Sequence, residues 1–183
     1  MRIEQTPLVD CFIVHEKVHG DARGYFIETF NQRDFNEATG LNILFVQDNQ
    51  SRSIKGVLRG LHMQRGSSAQ AKLVRVLEGS VLDIAVDLRK GSPSFGKHFA
   101  IQLTADNHKQ FFVPAGFAHG FVVLSEAATF FYKVDKFYEP GNEVGIMYND
   151  PALNIDWKLQ DSEIILSEKD RTLGSFAEYA ASL

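Results

Sequence analysis

Two histidines stand inside runs that otherwise read as buried strand. In Gly56-Val-Leu-Arg-Gly-Leu-His-Met-Gln64, Arg59 and His62 interrupt core-like residues, and Pro114-Ala-Gly-Phe-Ala-His119 puts a second histidine at the start of another apolar run. Lys72 opens Lys-Leu-Val-Arg-Val-Leu, and Tyr132-Lys133 follows Thr-Phe-Phe. One such residue is usually a hydrogen-bonded core group; several in one small chain need partners or a ligand, because each buried charge must be compensated. Their types suit proton abstraction beside a carbonyl. Histidine starts with a pKa near the working pH, and a carboxylate on its far nitrogen fixes the tautomer and favours the imidazolium. A cation at the carbonyl oxygen stabilises the enolate. Inverting a stereocentre also needs a proton donor on the opposite face, which tyrosine can supply. Spacing alone does not pair these groups.

Other chemistries lack their signatures. The chain has no Gly-x-x-x-x-Gly-Lys-Ser/Thr, no Gly-x-Gly-x-x-Gly, no Gly-x-Ser-x-Gly and no Cys-x-x-Cys. Pro114-x-Gly-x-x-His119 resembles the second motif of the cupin superfamily, whose histidine often binds a metal. The first cupin motif normally supplies His-x-His and then an acidic ligand, whereas the matching place here reads His62-Met63-Gln64, with Lys72 beyond it. Glutamine is a weak ligand for iron, zinc or nickel, and an ammonium is a poor neighbour for a divalent cation. The expectation is a cupin-like barrel with no metal.

The elements that must hold these groups are mostly strands. Ser80–Leu88 alternates, with Leu82, Ile84, Val86 and Leu88 on one face and Asp83, Ala85 and Asp87 on the other. Ala71–Leu77, His98–Thr104, Gln110–Val113, His119–Ser125 and Ala128–Phe137 read similarly, separated by turn signals such as Lys90-Gly-Ser-Pro93 and Pro114-Ala-Gly116. Many short strands with few helices between them predict an all-β sandwich or barrel, and fifteen Phe against three Met lean the same way. Helices are expected over Arg33–Thr39, from an Asn31 cap to Gly40, and over Ser175–Ala181. Residues 140–183 read as a flanking C-terminal segment, with Trp157 and Ile164–Leu166 packing back on the barrel. One domain, 1–183, accounts for the length.

Charge narrows the partners. The net charge of −4 argues against nucleic acid. Between Asn49 and Leu77 there is no Asp or Glu, yet Arg52, Lys55, Arg59, Arg65, Lys72 and Arg75 fall there, which suggests an anionic ligand or a solvated basic face. The charged opening residues and the lack of a long apolar run lead us to expect a cytoplasmic chain without a membrane partner. Cys11, the only cysteine, reads as a small core residue.

Taken together, the motifs resemble the dTDP-4-dehydrorhamnose 3,5-epimerase family over nearly the whole chain. The matching runs are Gly20-Asp-x-Arg-Gly24, Phe45-Val-Gln-Asp-Asn49, Val57-Leu-Arg-Gly-Leu-His62, Lys72-Leu-Val-Arg75, Pro114-x-Gly-Phe-Ala-His-Gly-Phe121, Tyr132-Lys133 and Ser167-x-Lys-Asp170. The resemblance implies a cupin-like jelly-roll homodimer with short flanking helices, acting without a cofactor on dTDP-4-dehydro-6-deoxy-glucose in rhamnose synthesis. It implies His62 as base backed by Asp170, Tyr132 as proton donor and Lys72 beside the C4 oxygen. Arg59, His119, Gln47, Asn49 and Lys169 would hold phosphate or sugar oxygens. Tyr138 would stack on thymine, and Glu143 would contact the nucleotide. Arg23 and Glu28 lie in an N-terminal strand that, in the family, reaches into the partner's site. Gln50 and Met63 depart from the family's common histidine and aromatic residue. A single-site epimerase and a non-catalytic sugar-nucleotide binder are the alternatives.

Strict alternation puts Arg59 and His62 on opposite faces of a strand. Both can serve one pocket only if the chain shifts phase, and Gly60 is the natural bulge site. His15, His19, His98 and His108 match no motif and are expected to be solvated.

Overall fold

The alternation of Ser80–Leu88 has two apolar destinations. In the computed structural model, which describes Met1–Leu183, the Leu82, Ile84, Val86 and Leu88 side chains pack against the C-terminal segment, while Val81 and Ala85 face the interior between two sheets. The polar members of that inner face, Asp83 and Asp87, are wholly buried.

Thirteen strands build the protein: β1 (Arg2–Gln5), β2 (Phe12–His15), β3 (Val18–Asp21), β4 (Gly24–Ile27), β5 (Gln47–Ile54), β6 (Leu58–Gln64), β7 (Lys72–Glu78), β8 (Ser80–Asp87), β9 (His98–Thr104), β10 (Lys109–Val113), β11 (Phe117–Val123), β12 (Ala127–Val134) and β13 (Glu143–Gly145). A larger sheet runs β1-β2-β10-β7-β12-β5 and a smaller one β13-β6-β11-β8-β9, all pairs antiparallel. Two sheets facing each other over a shared core make the jelly roll. That core holds Phe111, Phe117, Phe121 and Phe130, with Phe121 and Phe130 stacked 4.1 Å apart. β3 and β4 form a separate hairpin on which Tyr25 and Phe26 are well exposed.

Two further apolar layers close the outer faces. Phe35, on α1 (Gln32–Thr39), packs with Phe12 and Phe112 over the larger sheet. The α1 boundaries follow local chemistry: the Asn31 side chain accepts from two first-turn N–H groups, and Gly40 ends the helix with φ 70°. On the smaller sheet, Ile146, Leu153, Trp157 and Tyr179 cover Leu58, Leu61 and Ile84. This C-terminal cover includes α2 (Glu168–Arg171) and α3 (Phe176–Ala181), the latter capped by Ser175. No helix is long and apolar enough to cross a membrane.

Three readings need correction. The strand expected over Ala128–Phe137 stops at Val134, where the Asp135 side chain turns back to accept the Ala71 N–H. His119 is the third residue of its strand, not its first, because pairing already starts at Phe117. Of the four unmatched histidines only His19 is exposed; His15 contacts Glu4 at 2.8 Å, His108 lies 4.8 Å from the Tyr25 ring, and His98 is half-buried.

Candidate active site

β6 carries the expected irregularity. Its register against β11 pairs His62 with His119 and Arg59 with Phe121, so three steps on one strand face two on the other. The extra residue lies between Arg59 and His62, as a bulge at Gly60 requires. Gly60 has φ 124°, and a Cβ there would lie 2.6 Å from the Gly120 Cα and 2.7 Å from the His119 carbonyl oxygen. Glycine is therefore the residue that fits, and the shift turns Arg59 and His62 toward one cleft.

The cleft has two lobes, about 330 and 460 Å³. His62, Lys72, Tyr132, Asn49 and Glu143 line both and so mark the junction. The first lobe adds Gln47, Gln64, Gln70 and Tyr138; the second adds Arg59, His119, Lys169 and Asp170 above the Phe121 and Phe130 rings.

His62 stands between two carboxylates. Its Nε2 lies 2.6 Å from Asp170 Oδ1 and its Nδ1 3.7 Å from Glu143 Oε1. The closer contact lies off the axis of a well-formed hydrogen bond, and neither atom has another partner. Burial draws the imidazole below its usual pKa, against the upward pull of Asp170 and Glu143. The neutral form is thus the resting state near pH 7, with one ring nitrogen engaged and the other free to accept a proton.

Asp170 is held by its own surroundings. Ser167 caps α2 by accepting the Asp170 N–H at 3.2 Å and donates its hydroxyl to Asp170 Oδ2 at 2.7 Å. The chain just before that cap is tied to the His62 strand, because Leu58 donates to the Ile165 carbonyl and Ile165 to that of Gly56. The motif Ser-x-x-Asp thus docks a carboxylate on the strand that holds His62.

Lys72 and Tyr132 complete the junction. The Lys72 ammonium makes no ion pair, and burial pulls its pKa down to about 8 despite the opposing pull of Asp83 and Glu143. Burial likewise raises the Tyr132 phenol, keeping it protonated near neutrality. At the rim, Glu143 receives the Tyr138 hydroxyl at 2.6 Å and also the Lys169 ammonium. Burial alone would raise Glu143, but these two donors hold its carboxyl below the usual value. Arg59 donates through Nε and Nη2 to Ser53 at 3.2 Å and keeps the rest of its guanidinium exposed. Gln47 donates to Asn49 at 2.9 Å.

The structure brings eleven of the thirteen expected residues to this cleft and leaves two outside. Arg23 sits at the exposed β3–β4 turn, paired with Asp21, and Glu28 is exposed beyond β4. The basic stretch also spreads out. Only Arg59 and Lys72 of its six cations reach the cleft, while Arg52 pairs with Glu78 and Arg65 covers the Tyr179 ring.

Sequence reasoning missed Asp83. Asp83 lies 2.9 Å from His119 Nε2, fully buried, so the two cleft histidines, on neighbouring strands, each face a buried carboxylate. The signal was present as a carboxylate on the inner face of an otherwise apolar strand, which needs a cationic or donor partner. No group of three or more His, Cys, Asp or Glu side chains is placed to hold a metal ion.

A half-buried imidazole between carboxylates, a lone ammonium and a neutral phenol within one jelly-roll cleft define an acid–base barrel, able to move protons on a carbon next to a carbonyl. Within that class, the chain belongs to the dTDP-4-dehydrorhamnose 3,5-epimerase family, whose model matches residues 5–178. The chain is 53% identical over 178 residues to dTDP-4-dehydrorhamnose 3,5-epimerase from Pseudomonas aeruginosa, covering 97% of each chain. It superposes with TM-score 0.92 on a dTDP-6-deoxy-D-glucose-3,5-epimerase from Legionella pneumophila in complex with dTDP-4-keto-L-rhamnose, at 46% identity and covering 97% and 96% of the two chains. A 3′-monoepimerase from Streptomyces bikiniensis in complex with dTDP-quinovose is also similar, with TM-score 0.91, 30% identity and 100% and 90% coverage.

Proposed function

We propose that this chain inverts C3 and C5 of dTDP-4-dehydro-6-deoxy-D-glucose, both carbons flanking the C4 ketone, in dTDP-L-rhamnose synthesis. The observation that carries the reading is the junction itself, where a carboxylate-backed neutral histidine, a phenol and an unpaired ammonium share one cleft. The free ring nitrogen of His62 takes the proton from carbon, and the electron pair moves onto the C4 oxygen as an enolate. Lys72 stabilises that oxygen, and Asp170 stabilises the imidazolium. Tyr132 returns a proton to the same carbon from the other face, and solvent resets both side chains. The sequence then repeats at the second carbon. No step calls for a cofactor.

The substrate is laid across the two lobes. The hexose occupies the second lobe over Phe121 and Phe130, beside the buried His119. The exposed cations Arg59 and Lys169 meet the diphosphate, and Tyr138, 46% exposed at the rim, offers its ring to the thymine. A homodimer accounts for the exposed Tyr25–Phe26 hairpin and gives Arg23 and Glu28 a role in the partner's site. Neither nucleic acid nor a membrane enters this reading, and the cytoplasm is the compartment it assigns.

Incubating the 4-keto sugar nucleotide with the protein in deuterated water tests the reaction. Deuterium is expected at both C3 and C5, and His62→Asn should abolish it. Label at C3 alone would assign the chain to the monoepimerases instead. Tight binding with no label would make it a binding module.

A further inference from the structure

The three glutamines of the first lobe differ in what their nitrogens have left to do. Gln47 already donates to Asn49, and Gln70 donates to the Lys136 carbonyl at 2.8 Å. Gln64 is 4% exposed, and its Nε2 has no acceptor at all. The opposite end of the same amide is fixed: Oε1 accepts the Glu139 N–H at 2.9 Å, which settles which end is nitrogen. Two residues beyond His62 on β6, Gln64 shares the face of the base, whereas Met63 packs outward under the C-terminal cover. Its register partner is Glu143, which ties Gln64 to the side of the cleft that holds Tyr138. A buried amide donor without a partner is rare in folded proteins and costly to keep.

We propose that Gln64 is a substrate-binding residue, whose Nε2 donates to a neutral oxygen, carbonyl or hydroxyl, of the nucleoside half of the bound substrate. The inference rests on the sugar-nucleotide reading above and extends it to a residue that reading does not use. The chemistry of the lobe supports a neutral acceptor. Its added polar side chains are amides and a phenol, while the Arg59 guanidinium and the Lys169 ammonium lie in the other lobe. The Oε1 bond to Glu139 gives Gln64 a second task, since it anchors the segment that presents Tyr138. One side chain thereby links the strand of the base to the segment that receives the nucleobase.

Two probes, dTDP and inorganic pyrophosphate, separate these tasks when their affinities are measured for wild type, Gln64→Glu and Gln64→Met. Glutamate keeps the oxygen that holds Glu139 and removes the donor; methionine removes both. Both variants should bind dTDP about tenfold more weakly, the size of one lost neutral hydrogen bond, with pyrophosphate affinity within about twofold of wild type. Wild-type dTDP affinity in Gln64→Glu would overturn the assignment and leave the amide as a fastener for Glu139. Equal weakening of both probes would also overturn it, because repulsion by the new carboxylate acts on phosphate as well. Failure of the sugar-nucleotide reading looks different: the wild-type chain itself would neither bind dTDP nor exchange deuterium.

Discussion

Replacing Asp170 by Asn keeps the shape of the side chain and an oxygen for the Ser167 hydroxyl while removing the charge behind His62. At 2.6 Å, Coulomb's law with an effective dielectric constant of about 20 gives roughly 6 kcal/mol of attraction for the imidazolium, before the cost of burying the carboxylate is counted. Asp170 is 5% exposed, so solvent screens little of this, and stranding one member of a buried pair costs about 3–5 kcal/mol. The imidazolium exists only after proton abstraction, so that loss falls on the transition state and slows exchange by roughly two to four orders of magnitude. The sign of the pH effect follows as well. Asp170 pulls the His62 pKa up, so without it the acid limb of kcat/KM moves to lower pH while the plateau falls. Loss of substrate hydrogens at C3 and C5, followed by proton NMR in deuterated buffer across pH, measures both effects. A variant within about tenfold of wild type with an unmoved acid limb would refute the pairing of Asp170 with the base.

Wild type should keep its activity below pH 6.5, because burial holds His62 under that ordinary value, and should lose activity as pH rises through about 8 and Lys72 gives up its proton; a flat profile from 6 to 9, bounded by no group of about these values, would count against both assignments. Lys72→Met should remove the basic limb and slow exchange about 10²–10³-fold. Folding lowers Lys72 from 10.5 to about 8, so the unfolded chain binds more protons between those values and wild-type stability rises with pH there; the variant should lack that rise in a denaturation series. Tyr132→Phe should exchange deuterium slowly while returning it to the face it left, so inversion at the wild-type rate would exclude the phenol as donor. Gly60→Ala must push β6 from β11, costing about 2–5 kcal/mol and lowering Tm by roughly 5–15 °C, and a Tm unchanged within 2 °C would show that the bulge tolerates a Cβ.

Much of this was legible in the chain because it is local. Period-two runs placed β8 and β9, and the Asn31 and Gly40 signals placed α1, since side chains next to the backbone decide those boundaries. The bulge at Gly60 was also readable, because two site residues three apart cannot share a strand face without one. The partners of the histidines were a different matter. Asp170 lies more than a hundred residues beyond His62, and only the family resemblance paired them. Asp83 went unnoticed beside His119 because a carboxylate on an alternating strand reads as a solvent-facing residue until both faces are known to be buried. The basic stretch divides between the two readings it allowed: cations spread along strands alternate between faces, so four of the six stay outside the cleft that two of them line.

The β3–β4 hairpin bears on what happens when the protein is dilute. A two-stranded ribbon is marginal alone, and this one carries Tyr25 and Phe26 in water with Arg23 at its tip. If a second copy covers it, each cleft is finished by mass action, and specific activity falls as the concentration drops below the dissociation constant of the pair. Mixing then becomes informative. Chains disabled at Arg23 and chains disabled at His62, each inactive alone, should regain about a quarter of wild-type activity after random reassociation, because every mixed pair holds one cleft with both residues intact. Two chains that never exchange arms would stay silent in the mixture.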